Sequence, residues 1–539
     1  MSEGLRPSGS PTRSRAGAPS PAPLAWLTRF ARSRPATARV SAWIAAVTLA
    51  GAAAGCAQHV PPSTTPRLPK PSAAVQQLRR DLSRVFGATI MARGVWTVDV
   101  RSLDTGERLF QLEPARLMMP ASNMKIFTTA AAAEILGWDY RFTTTLETSA
   151  PVAGGVLKGD LFVRGEGDPT INAREGRAPA VLSEWVSALR AAGIEEIDGR
   201  IIGDDQRFDD EGIGPGWAWD YLQYGYAAPV GALEFNENLA TLTVQPGIEA
   251  GGGAIVTLSP GAGLRLVSRV TTIPAGGQNE IAYRRRIDEP VLEVSGTIAA
   301  ASAPITRTVA VVNPTVFFVE SLKQVLMERG IRVTGRAVDL DDVAAELIGA
   351  PLERRVLANT ESPPLREIAT VLMKVSQNLY AETVAKAIGA SRGGLGTYEG
   401  GLATIRTQLT SWGIPGDAYV IADGSGLSRY NYVSAGAVVD VLERMYRDPK
   451  HKDAFLATLP IAGKDGSLST RMRRTRAEGN AIAKTGSISN ARSLSGYVRS
   501  RDGEMLVFSI LANDFVIPAA TVNWIADLAV EHLSNFSRR

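Results

Sequence analysis

The sequence has one cysteine and three histidines among 539 residues, and each shortage closes off a chemistry. A single thiol forms no intrachain disulfide, no Cys-x-x-Cys pair and no zinc knuckle. His59, His451 and His532 fall in a Pro-rich stretch, a charged segment and a terminal helical pattern, none at metal-ligand spacing. All three are expected to be solvated surface residues, so neither a metal, nor a cofactor, nor a histidine base is expected. Positive charge is also scarce once it is located. The formal charge is +4, but residues 1–55 hold seven Arg and one Glu, +6 alone, which leaves −2 for the rest. With no basic stripe and no interleaved aromatics, nucleic acid is not an expected partner. Apolar material is plentiful: 45% hydrophobic against 21% charged residues suffices for more than one packed core.

The first 39 residues are rich in Arg, Pro, Ser and Ala, and an apolar run follows from Val40. It ends in small residues after about 16 positions, short for a bilayer span and laid out as a signal peptide over 1–55. It closes on Ala53-Ala54-Gly55-Cys56, which resembles a bacterial lipoprotein box, with Ala53 where Leu is usual. The only cysteine falls at this spot, which favours lipidation of Cys56 over an ordinary cleavage. The expectation is export to the cell envelope, on its periplasmic or outer-membrane side, with a lipid anchor on the membrane. Residues 56–72 read as a Pro-rich tether.

Beyond the tether, Val75, Leu78, Leu82, Val85 and Phe86 recur at helical spacing, with Gly87 as a stop. Asp104-Thr105-Gly106 and Arg501-Asp502-Gly503 each separate two strand-like runs, as hairpin turns do. The chain ends on a helical pattern with Val522, Ile525, Ala529 and Leu533 on one face. Strands and amphipathic helices at both ends suit an α+β fold, an antiparallel sheet with flanking helices. That sheet domain is assigned to 73–141 and 353–539. The stretch between, 142–352, is rich in Gly, Thr and Val and is expected to be a large β-rich insert of one or more domains.

Three short motifs carry chemistry. Met119-Pro120-Ala121-Ser122-Asn123-Met124-Lys125 reads as a proline followed by a helix start, with Gly137 as its stop. Residues i and i+3 share a helix face, so Ser122 and Lys125 can touch. A serine hydroxyl needs a base to take its proton, and a neutral lysine is the candidate. An unperturbed lysine, with a pKa near ~10.4, stays charged at neutral pH, so burial or a second cation must lower it. Ser376-Gln377-Asn378 lies at a helix or loop boundary, and Lys484-Thr485-Gly486-Ser487 lies on a strand-like run. Each motif alone is common, but Ser-x-x-Lys, Ser-x-Asn and Lys-Thr-Gly each occur once here, in the order typical of penicillin-binding proteins and class A β-lactamases.

On these motifs the chain resembles the D-alanyl-D-alanine carboxypeptidase/endopeptidase family, the low-molecular-mass class C penicillin-binding proteins, from about Ala73 to the C-terminus. Gly159-Asp160-Leu161, Gly165-Glu166-Gly167-Asp168-Pro169-Thr170, Gly203-Asp204-Asp205 with Phe208, and Asp423-Gly424-Ser425-Gly426-Leu427-Ser428-Arg429 add to the likeness. The resemblance implies a transpeptidase/β-lactamase-like fold with a large insert after the nucleophile helix. It also implies a serine-type peptidase of peptidoglycan stem peptides, acylated by β-lactam antibiotics as covalent inhibitors. By motif, Ser122 is the nucleophile, Lys125 its base and Ser376 a proton relay. Asn378 holds the substrate amide, Lys484 supplies positive potential to the substrate carboxylate, and Thr485 and Ser487 bind it. The amides of Ser122 and Ser487 would form the oxyanion hole.

Two clusters stay open or bland. Asp423-Gly424-Ser425-Gly426 is expected to be a turn, whereas Asp168 fits equally a Gly-Asp-Pro turn or a group near the cleft. Rival readings on the same scaffold are a β-lactamase or esterase, and a non-catalytic wall-binding protein. The two lysines are expected to differ. Lys125 should be buried and neutral, and Lys484, keeping solvent at the cleft edge, should stay charged, depress Lys125 and give a bell-shaped pH profile.

Overall fold

The computed structural model describes residues 72–174, 176–347 and 353–539, all within the second of two units, Lys70–Arg539. The expected signal segment and the expected tether as far as residue 71, with Cys56 and His59, lie outside the described residues.

A five-stranded antiparallel sheet forms the centre of the α+β domain, as expected. Its strands are β1 (Val95–Ser102), β2 (Arg108–Leu112), β3 (Ile482–Ile488), β4 (Ala491–Arg499) and β5 (Met505–Asn513), in the order β2-β1-β5-β4-β3. Both expected hairpins are present, β1–β2 and β4–β5. Central β5 is buried at all nine positions. Because strand side chains alternate between faces, it feeds two cores: Met505, Val507 and Leu511 enter one, and Leu506, Phe508, Ile510 and Ala512 the other.

Helices Ala73–Phe86 and Ala519–Asn535 cover the second core, with Val75, Leu78, Leu82, Val522, Ile525, Ala529 and Leu533 buried as their spacing predicts. On the other face lie Met124–Ile135, Leu365–Lys374, Asn378–Ala390, Tyr398–Ser411 and Ala435–Arg447. Asn378–Ala390 is buried at every residue, as a helix in the middle of a core must be. It approaches the next helix closely: a Cβ on Gly401 would lie 2.1 Å from the Ala385 carbonyl oxygen, so only glycine fits there.

The middle segment has its own sheets and cores. A five-stranded mixed sheet runs Ala337–Asp339, Ile201–Asp204, Leu161–Gly165, Thr143–Thr148 and Arg355–Glu361. Helices Arg177–Ala191 and Pro314–Glu328 share its core through Leu182, Trp185, Phe318 and Leu322. These two helices, 15 residues each, are what the Gly, Thr and Val richness hid. Two three-stranded sheets between Leu239 and Ala310 enclose a smaller core of Leu242, Val244, Leu292 and Val294.

His451 departs from expectation. It is buried, accepting the Trp138 indole N–H at Nδ1 (3.2 Å) with Nε2 against Glu134 Oε2 (3.1 Å). The charged residues around it in sequence concealed a ring stapled beneath a tryptophan. His532 is half-buried on the terminal helix.

Candidate active site

The helix expected to start after Pro120 does so as a 3-10 turn over Ala121–Asn123 that runs into the α-helix Met124–Ile135, and Gly137 takes a left-handed conformation beyond its end. Ala121 has φ of 47°, a strained value for a residue with a Cβ. Its surroundings hold it there. Ser493 Oγ donates to the Pro120 carbonyl (2.7 Å), Asn123 Nδ2 donates to the Lys484 carbonyl (3.1 Å), and the Ala121 carbonyl lies against Gly426. The kink leaves Ser122 half-buried at a cavity of about 540 Å³ and sends Lys125 into the core.

Lys125 Nζ lies 3.0 Å from Ser122 Oγ, 2.6 Å from Asn378 Oδ1 and 2.8 Å from the Ser425 carbonyl. The last two partners only accept, so they use two N–H bonds. A neutral amine has two N–H bonds and one lone pair, and the lone pair then faces the serine hydroxyl. Burial pushes the Lys125 pKa down to about 7, against a smaller upward pull from the carboxylates of Glu382 and Asp423. The expected burial is present, but the charge of Lys484 is not what lowers it.

Lys484 itself differs from expectation. It is fully buried, donating to Ser376 Oγ and to the Thr485 carbonyl, both at 2.8 Å. Burial, and then the charge of Lys125, push its pKa well below the usual lysine value. An edge strand exposes its backbone, but its inward-facing side chains are covered by whatever packs on that face, here the bend carrying Ser376. That bend is left-handed, φ 63°, and precedes helix Asn378–Ala390.

Thr485, Ser487 and Ser376 line the cavity together with Ser122 and Asn378. Gly486 brings β3 onto the Ser122 turn: a Cβ there would meet the Pro120 carbonyl oxygen at 2.7 Å and the Ser122 amide nitrogen at 3.0 Å. The motif residues named from sequence therefore converge.

Asp423 proves to organise a turn, accepting from the amides of Gly426 (2.7 Å) and Ser428 (2.6 Å) and from Asn431 Nδ2 (2.7 Å). The turn presents the Ser425 carbonyl to Lys125. Asp168 is buried, bonded to Thr170 and Arg177, and does not line the cavity.

Several site residues were not named from sequence. Glu382 is buried one helical turn after Asn378 and accepts from the Gly424 (2.7 Å) and Ser425 (2.8 Å) amides. Burial and Asp423 raise its carboxyl to about 8. Its i+4 spacing from Asn378 was the available signal. Ser467 accepts from Thr485 Oγ1 at 2.6 Å, and Arg492 lines the same wall. From the middle segment, Tyr226 offers its carbonyl to Asn378 Nδ2 (2.7 Å) and Tyr221 meets Ser489 (3.3 Å). No spacing rule links residues so far apart in sequence.

Two groups of potential metal ligands occur among the described residues, Glu134/Asp448/His451 and Asp205/Asp339/Asp341, and neither includes a cavity-lining motif residue. In the first, Lys450 already pairs with Glu134 at 3.2 Å.

Comparison with known proteins shows the family and the fold. Residues 78–532 match the D-Ala-D-Ala carboxypeptidase 3 (S13) family. The chain is 35% identical over 460 residues to a D-alanyl-D-alanine carboxypeptidase of Actinomadura sp. (strain R39), covering 83% of each chain. It is 26% identical over 422 residues to the D-alanyl-D-alanine carboxypeptidase DacB of Haemophilus influenzae, covering 77% of this chain and 84% of that one. The crystal structure of penicillin binding protein 4 (dacB) from Haemophilus influenzae shares the fold, with a TM-score of 0.72 at 23% identity over 85% of this chain and 99% of that one.

Proposed function

Because the chain belongs to the D-Ala-D-Ala carboxypeptidase 3 (S13) family, we propose that it is a serine-type hydrolase cleaving D-alanyl-D-alanine bonds, and the D,D cross-links related to them, in peptidoglycan stem peptides. The observation that carries the mechanism is the Lys125 amine, held by two acceptors with its third direction on Ser122 Oγ.

Ser122 Oγ attacks the carbonyl carbon of the penultimate D-Ala while Lys125 accepts the hydroxyl proton. The amides of Ser122 and Ser487 stabilise the resulting oxyanion. The C–N bond breaks, and the proton reaches the leaving amine from Lys125 through the Ser376 hydroxyl, which Lys484 orients. Water then adds to the ester, its proton returns to Ser122 Oγ, and the shortened peptide acid leaves. Asn378 holds the substrate amide, and Thr485 and Ser487 receive the terminal carboxylate. β-Lactams acylate the same serine. We assign the site to a discontinuous domain, 73–141 and 353–539, whose strand Arg355–Glu361 joins the sheet of the inserted stretch 142–352 that supplies Tyr221 and Tyr226.

The test is mass spectrometry of the protein treated with benzylpenicillin, alongside muropeptide digestion. A penicilloyl adduct on Ser122, lost in Ser122→Ala together with peptidase activity, is expected; an adduct on another serine overturns the assignment.

We also propose export with lipidation at Cys56, supported by the box sequence; among the described residues no helix is long and apolar enough to cross a membrane. Cys56→Ser should abolish detergent partitioning, and unchanged partitioning would rule the anchor out.

A further inference from the structure

The substrate of the proposed reaction ends in a carboxylate, and the site needs a cation to receive it. The two motif lysines are poorly placed for this. Both are 0% exposed and neither lines the cavity. Lys125 is committed to Ser122, Asn378 and Ser425, and Lys484 donates to Ser376 and the Thr485 carbonyl. Burial also disfavours their charge; it lowers the Arg492 pKa too, but from a value high enough that the guanidinium stays charged.

One guanidinium does reach the cavity. Arg492 on β4 is the register partner of Ser487 on β3. Directly opposite residues of an antiparallel pair project from the same face, which puts the Arg492 side chain beside the Ser487 hydroxyl. Both line the cavity, with Thr485, Ser467 and Ser489. Arg492 Nη1 donates to the carbonyls of Ile488 (2.6 Å) and Ala491 (2.7 Å), and its Cζ lies 5.8 Å from the centre of the Phe515 ring. These contacts fix the group on the β3–β4 turn. Among the described residues no carboxylate pairs with it, and its Nε and Nη2 make no hydrogen bond within the protein. A fixed, half-buried guanidinium with an open edge, flanked by hydroxyls, is a carboxylate receptor, because its planar fork matches the two oxygens.

We infer that Arg492, rather than Lys484, is the cation that binds the terminal carboxylate of substrate and of β-lactam, and that it sets the preference for free-acid substrates. The inference rests on the peptidase reading above. Lys484 then acts on Ser376, and Thr485 and Ser487 complete the anion site with Arg492.

The experiment compares second-order acylation of the full chain by benzylpenicillin and by its methyl ester, which lacks the carboxylate, in wild type, Arg492→Gln and Arg492→Lys. A hydrogen bond to a charged partner, once lost, corresponds to about a ten- to hundredfold change. Arg492→Gln should lower acylation by the acid by that factor and by the ester far less, so the preference for the acid collapses; Arg492→Lys should restore part of it. Parallel losses for acid and ester would show that Arg492 only braces the turn, and an undiminished rate with the acid would show that it does not meet the carboxylate. Either result overturns the inference while leaving the peptidase reading intact. A wild type acylated by neither compound overturns both. Ester acylation also reports that each variant is folded.

Discussion

Replacing Lys125 by Arg keeps a cation against Ser122 and removes the base. With the lysine pKa lowered from 10.5 to about 7, about half the amine is neutral at pH 7, against about three parts in ten thousand at the ordinary value, on the order of a thousandfold gain in available base. Arginine, far more basic, is neutral in no more than about ten parts in a million at pH 7. A positioned general base contributes about 10²–10⁴-fold, so Lys125→Arg should acylate that much more slowly than wild type and no faster than Lys125→Ala. The pH profile gives a second measure. Wild-type acylation should rise with pH as the amine loses its proton, reaching half its plateau near 7 and about a hundredth of it two pH units lower. Glu382 is close enough to share this titration, so the midpoint belongs to the pair. If Arg492 carries the carboxylate, the plateau should persist to alkaline pH in place of the bell that a charged, exposed Lys484 would produce. The assay is timed penicilloylation followed by mass spectrometry from about pH 5 to about 11, past the ordinary lysine value, with thermal melts of both variants as a folding control. Acylation of Lys125→Arg within tenfold of wild type at pH 7 would refute the base assignment.

Gly426→Ala should cost at least about 2 kcal/mol in stability and slow acylation, because the new Cβ would sit 1.9 Å from the Ala121 carbonyl oxygen at φ +86° and push the nucleophile turn aside; a melt and acylation rate equal to wild type would contradict this. Asp205→Asn should stabilise more at pH 8 than at pH 4. Burial first, and then Asp339, raise the Asp205 carboxyl to about 7, so between 3.8 and about 7 the native state holds a proton that the unfolded chain has released. That stabilisation is present below the lower value and lost as pH rises through the upper one, a loss the amide does not share. Melts at the two pH values showing the same difference would exclude it.

The contact of Ser122 with Lys125 was legible because helical spacing converts three residues of sequence into one contact. Ser376, Asn378 and Lys484 were legible as types in order, since their chemistry restricts which residues serve. Their burial was not. Whether Lys484 meets solvent depends on the Ser376 bend folding over β3, a contact across 108 residues that no local pattern encodes. His451 failed for the same reason, with Trp138 arriving from 313 residues away. The outer helices were readable from their apolar periodicity, whereas Arg177–Ala191 and Pro314–Glu328 were masked by the strand-like composition around them. Arg492 carried no motif, and its position follows only from the β3–β4 register.

The pairing of Val95 with Asn513 also governs the order in which the chain can assemble. Strand β1 emerges early in synthesis and must wait for β5, more than 400 residues later, so the Ser122 turn is made long before the sheet that braces it. Closing a long flexible loop costs entropy that grows only as the logarithm of its length, about 0.6 kcal/mol per doubling. The middle segment shortens that loop itself. Thr143–Thr148 pairs antiparallel with Arg355–Glu361, so once this segment folds its two ends stand side by side and over 200 residues drop out of the effective contour. That pairing sets the residues after Glu361 beside those before Thr143, so the stretch between them adds little to the loop that β1 and β5 must close.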